Sequence, residues 1–215
     1  MSFVNNGFMS ALGKLADMFI LSVLWLLCCL PVVTAVPATI ALYYGSVKVV
    51  RRGAGYAFRD FMKGFAQNWK QGLALELCYG GIAVLLSMAR GYAEFAGLTS
   101  PDGKVYYLFF LIMVFVIACV TAYLLPVVSR FHLTLLCALR LAVSFSFSNL
   151  LTLIPLLITL AGAAAVSYLF PPALLVLPSA YCFLLSFSVE KVLIRYIRNN
   201  LERPEEHDGM WYMME

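Results

Sequence analysis

Apolar residues along this chain fall into long uninterrupted runs, and the charges collect between them. Leu15 to Val33, Leu73 to Ala89, Val105 to Val128 and Leu150 to Leu169 are nearly free of charge, and Ala173 to Val189 is a broken version of the same pattern. A helix rises 1.5 Å per residue, so roughly 17–25 apolar residues cross a hydrocarbon core about 30 Å thick. Barrel strands would alternate apolar with polar residues, and these runs do not. Backbone groups in lipid must then be satisfied within helices. The pattern predicts an all-α, polytopic membrane helix bundle with about five transmembrane helices.

Two further segments are amphipathic. Phe58, Phe61, Met62, Phe65 and Trp69 recur at helical spacing, with Arg59, Lys63, Gln67 and Lys70 opposite. That predicts a helix lying at the membrane surface, aromatic face down, or docking a partner. Gly53-Ala54-Gly55 before it reads as a hinge. The second helix carries a polar stripe of Arg130, Thr134, Cys137, Ser144 and Ser148.

Pro31 and Pro37 interrupt the stretch after the first run, each removing a backbone donor. Ala38 to Val50 is thirteen residues and contains Lys48, so a bent or half-inserted helix is expected. If it crossed the membrane, there would be six spans and a cytoplasmic N-terminus; otherwise there are five, with the N-terminus outside.

Charge orients the bundle. Of fifteen Lys and Arg, twelve follow the first, third and fifth spans, whereas Lys14, Arg90 and Lys104 fall on the other side. Excess Lys and Arg marks the cytoplasmic face, which would hold the C-terminus. The first run has only Lys14 before it and no small-x-small cleavage site after it, so it is expected to remain as an anchor. Residues 1–200 form one helical domain, and 201–215 an acidic tail ending in Met210-Trp-Tyr-Met-Met214.

With 63% hydrophobic residues, the chain is built for lipid, and little chemistry is left over. The six cysteines form no CxxC pair and only His132 and His207 are present, so neither a metal nor any other cofactor is expected. No nucleotide-binding loop occurs, no nucleophile has a histidine placed to activate it, and the basic residues hug the membrane. An enzyme or a nucleic-acid-binding protein is therefore not expected; the lipid bilayer is the partner the composition requires.

Small or polar residues share helix faces: Gly72, Glu76, Gly80, Ala83, Ser87 and Gly91 in the second span, Thr159, Ala163 and Ser167 in the fourth, Ser179, Cys182, Ser186 and Glu190 in the fifth. Such faces let helices approach closely. Glu76 is the candidate intramembrane polar residue. It reads either as a proton or substrate site facing a cavity, or as a carboxylate paired with Arg130 or Arg140. Arg90 and Glu190, near span ends, are expected to snorkel. Leu30-Pro-Val-Val-Thr34 and Leu125-Pro-Val-Val-Ser129 suggest a parallel duplication of the kind found in transporters.

Leu24-Trp-Leu-Leu-Cys-Cys-Leu-Pro-Val-Val-Thr34, with Leu30, Pro31 and Thr34 at its end, then Pro37-Ala-Thr-Ile-Ala-Leu-Tyr-Tyr44, Phe58-Arg-Asp-Phe61 and Asn68-Trp-Lys-Gln71 resemble the YesL-like family. The family consists of bacterial membrane proteins of unknown function, often encoded beside carbohydrate ABC transporters. The resemblance implies a multi-pass protein of the bacterial cytoplasmic membrane, acting as an accessory or regulatory subunit with a sugar ABC permease as partner. It supplies no catalytic residue. The alternative is a small transporter or channel in its own right.

Overall fold

The computed structural model describes residues 2–99, 103–131 and 134–200. Seven helices succeed one another: α1 (Ser2–Cys29), α2 (Ala35–Gly45, continued by a π-type segment Ser46–Arg51), α3 (Ala57–Thr99), α4 (Gly103–Arg130), α5 (Leu135–Ser148), α6 (Leu150–Leu169) and α7 (Leu177–Asn200). There is no strand among the described residues. Five stretches are long and apolar enough to cross a membrane: Ala11–Cys29, Val32–Arg51, Ala57–Phe95, Lys104–Arg130 and Leu177–Tyr196. The acidic tail, His132 and His207 lie outside the described residues.

The segment expected to be half-inserted is instead the centre of the bundle. With its leading 3-10 turn, Val32–Arg51 is 20 residues, about the thickness of a hydrocarbon core. Most of it is buried against α1, α3, α4 and α7. The two prolines punctuate a turn rather than break a helix. Pro31 sits at the break itself, and Pro37 falls in the first turn of α2, where a missing N–H costs little. Thr34 ties the turn by donating to the carbonyls of Cys28 and Pro31.

Side-chain contacts fix the directions. Trp25 Nε1 donates to Thr39 Oγ1 at 3.1 Å and Leu21 abuts Gly45, so α1 and α2 are antiparallel. Gly64 lies against Ala41 and Tyr44, and Gly72 against Pro37, so α3 runs back along α2. Tyr79 reaches Thr121 at 3.0 Å and Tyr92 meets Tyr106 edge-on, so α4 reverses α3. α7 crosses α2, with Ser179 against Ser46, Ser186 at Arg51 and Glu190 reaching Tyr43.

The expected number of membrane-length helices holds among the described residues, but Val32–Arg51 is one of the five and Leu150–Leu169 is not. Lys14 lies beyond Leu21 on α1 just as Arg51 lies beyond Gly45 on α2, so Lys14 joins the basic end instead of opposing it. α5 folds back on α4, with Ser146 donating to the Cys119 carbonyl at 3.0 Å. The two Leu-Pro-Val-Val motifs are not equivalent either. Pro31 is exposed at the α1–α2 break, whereas Pro126 is buried inside α4.

α3 departs furthest from expectation. Its 43 residues make one continuous helix, about 64 Å long at 1.5 Å per residue. The amphipathic stretch is therefore its first three turns rather than a separate surface helix. Phe61 is fully buried in the core, Phe65 partly buried, and Phe58, Arg59, Lys63 and Trp69 exposed. The glycine segment before it is a clamped turn. Gly53, at φ +64°, closes α2, and Lys48 and Asp60 pair across the turn at 2.6 Å. Asp60 also accepts from the Tyr56 N–H at 2.9 Å.

Candidate functional site

Where α2, α4 and α7 meet at the basic end, they bury a polar cluster around Glu190. This side chain is 1% exposed. Its Oε1 accepts from Tyr43 Oη and from Arg130 Nε, both at 3.0 Å. Its Oε2 pairs with Arg130 Nη2 at 2.5 Å and Arg52 Nη2 at 3.3 Å. Both arginine side chains are almost as buried as the carboxylate. Burial pulls the Arg52 pKa down from its ordinary value, and Glu190 opposes that pull. Arg51 adds a cation at the same end, donating to the Ser186 carbonyl at 2.6 Å and lying 4.9 Å from the centroid of the Phe187 ring.

Glu190 was expected to snorkel and Arg130 to be a partner for Glu76. Both expectations fail, because α7 turns the Ser179, Cys182, Ser186 and Glu190 face inward. In lipid a carboxylate is held by cations or pushed to the surface, and here two guanidiniums hold it.

Glu76 lies at the opposite end of α2. Its Oε2 accepts from the Val36 N–H at 2.6 Å. The first N–H groups of a helix have no partner within it, and the N-terminus carries a partial positive charge. Glu76 thus caps α2 across the helix interface. Ser22 of α1 treats α7 the same way, accepting from the Ser179 N–H at 3.2 Å. Two helices that begin inside the bundle borrow their caps from neighbours.

Beside Tyr43 the bundle is loosely filled. A cavity of about 310 Å³ lies between α2, α4 and α7, bounded by Tyr43, Thr121, Ala122, Leu125 and Leu185. A second, of about 330 Å³, lies toward α1 and α6, bounded by Trp25, Leu42, Ala163, Ser167 and Leu177. Thr39, Leu160, Tyr181 and Cys182 line both, so the two adjoin as the halves of one apolar slot. The Thr39 and Thr121 hydroxyls are already bonded to their own helices, at the Ala35 and Ile117 carbonyls. Glu76 lines neither cavity.

The small face of the second span divides in two. Gly72 is packed so closely that an added Cβ would lie 2.6 Å from Pro37 Cγ. Gly80, Ala83, Ser87 and Gly91 are exposed, and a Cβ at Gly80 or Gly91 would meet nothing within 4 Å. Among the described residues, no group of three or more His, Cys, Asp or Glu side chains is placed to hold a metal. All six cysteines are free, with Cys78 and Cys137 exposed.

No curated protein and no solved structure matches the chain. A family model described as a protein of unknown function, DUF624, matches residues 18–89, about a third of the chain. That stretch holds the α1–α2 turn with Pro31 and Pro37, the Trp25–Thr39 bond, the Gly72–Pro37 contact and the Glu76 cap. Over these three helices the chain is similar to DUF624 proteins.

Proposed function

We propose that this protein is an accessory membrane subunit that docks another membrane protein through the outer half of α3. The observation that carries the reading is the exposed face Gly80, Ala83, Ser87 and Gly91, at one-turn spacing on a helix held firmly at its other end. Small residues let a second helix approach where lipid gives no hydrophobic drive for association. The resemblance to YesL-like proteins supports a carbohydrate ABC permease as the partner, in the bacterial cytoplasmic membrane with the basic end and C-terminus cytoplasmic.

The transporter reading rested on Glu76 and the repeated Leu-Pro-Val-Val motif, and the two motifs are not equivalent in the fold. Glu76 is occupied as a helix cap, and the cavities are walled almost wholly by apolar surface.

Affinity purification from the native host in gentle detergent, with mass spectrometry of what accompanies the protein, tests the proposal. A permease should be recovered in near-equal amount. A Gly80→Leu/Gly91→Leu variant should lose it while keeping its own thermal stability, because a Cβ added at either position meets no atom of the described residues within 4 Å. Recovery of the protein alone, with sugar uptake unchanged in its absence, would sink the proposal.

A further inference from the structure

We infer that the slot between α2, α4, α6 and α7 binds one acyl chain of a membrane phospholipid. Each half of the slot matches the lower range of ligand pockets, about 300 Å³, and the two share Thr39, Leu160, Tyr181 and Cys182 as lining. α4 touches α6 and α7 only lightly, and neither half is closed off. Three of the four helices around it, α2, α4 and α7, are long and apolar enough to lie in hydrocarbon.

Water does not fill such a space. An apolar cavity offers too few hydrogen-bonding groups to hold it. Left empty, the walls forfeit their dispersion contacts on one side. What reaches the slot within a bilayer is lipid, and a hydrocarbon chain fits a narrow apolar space. One polar group remains for recognition. The Tyr181 hydroxyl lines both halves and has no hydrogen-bond partner among the described residues, so it is placed to donate to an ester carbonyl.

Trp25 lines the inner half and serves as the reporter. In a Trp69→Phe/Trp211→Phe background, delipidated protein in detergent micelles is titrated with chain-brominated phosphatidylcholine. Quenching should saturate at one lipid per chain, and native mass spectrometry should find one phospholipid retained through purification. Ala122→Phe with Ala163→Phe fills both halves and should abolish both signals. Quenching that rises without saturating, or retention unchanged in the filled variant, means surrounding lipid only and overturns the inference. The titration of the unfilled protein decides the matter even if the filled variant fails to fold.

Discussion

Glu190 and Glu76 are both carboxylates on apolar helices, yet their surroundings set them apart. Glu190 answers two buried guanidiniums and a tyrosine hydroxyl, whereas Glu76 answers one backbone N–H. Removing one member of a buried ion pair costs about 3–5 kcal/mol, and a charge at a helix N-terminus contributes about 0.3–2 kcal/mol. Glu190→Gln should therefore lower the stability of the detergent-solubilised protein far more than Glu76→Gln does, measured by thermal or denaturant unfolding. Equal losses would mean the cluster is not what holds α2, α4 and α7 together. Tyr43→Phe removes one hydrogen bond to a charged group and should cost about 1.5–3 kcal/mol. It should be non-additive with Glu190→Gln, because both changes act on the same bond. None of these pairings was legible in the sequence. Tyr43 and Glu190 lie 147 positions apart, and a side chain's charge does not say which distant helix faces it.

Glycines on α3 carry the argument at the scale of the helix. Gly72→Ala forces a Cβ into Pro37, including its Cα at 2.9 Å, and should destabilise by about 1–3 kcal/mol through overpacking. Gly80→Ala meets nothing and should be neutral or stabilising by up to about 1 kcal/mol, from helix propensity alone. The same unfolding assay separates them, and a destabilising Gly80→Ala would contradict an open face there. The small face itself could be read from spacing, but not the point where it passes from packed to exposed. That point depends on where α2 ends. The runs that became α1, the second half of α3, α4 and α7 were legible because apolar length alone identifies a span. α2 was not, because prolines that open a helix look in sequence like prolines that break one. The aromatic stripe from Phe58 to Trp69 was a true helical face, but it was assigned to lipid when half of it packs on α2.

The antiparallel α1–α2 pair brings Lys14 to the end of the molecule where α2 finishes and α3 begins. In a cysteine-free background, Lys14→Cys and Arg59→Cys should react with a membrane-impermeant thiol reagent from the same side. With the basic end cytoplasmic, both should be protected in intact cells and labelled in inverted vesicles. Labelling from opposite sides would mean that Val32–Arg51 does not cross the membrane. The central place of α2 also bears on how the protein is made. Of the five membrane-length stretches α2 is the least apolar, and its surface is given to other helices more than to lipid. Emerging alone from a ribosome, it has the weakest claim on the bilayer. α1 comes first, and only Leu30 and Pro31 separate its end from the turn that opens α2. The first 51 residues can thus enter as a preassembled hairpin, Trp25 already against Thr39, before α3 has been synthesised to supply the Glu76 cap. The order of translation becomes part of the fold: each helix arrives to shelter the one before it.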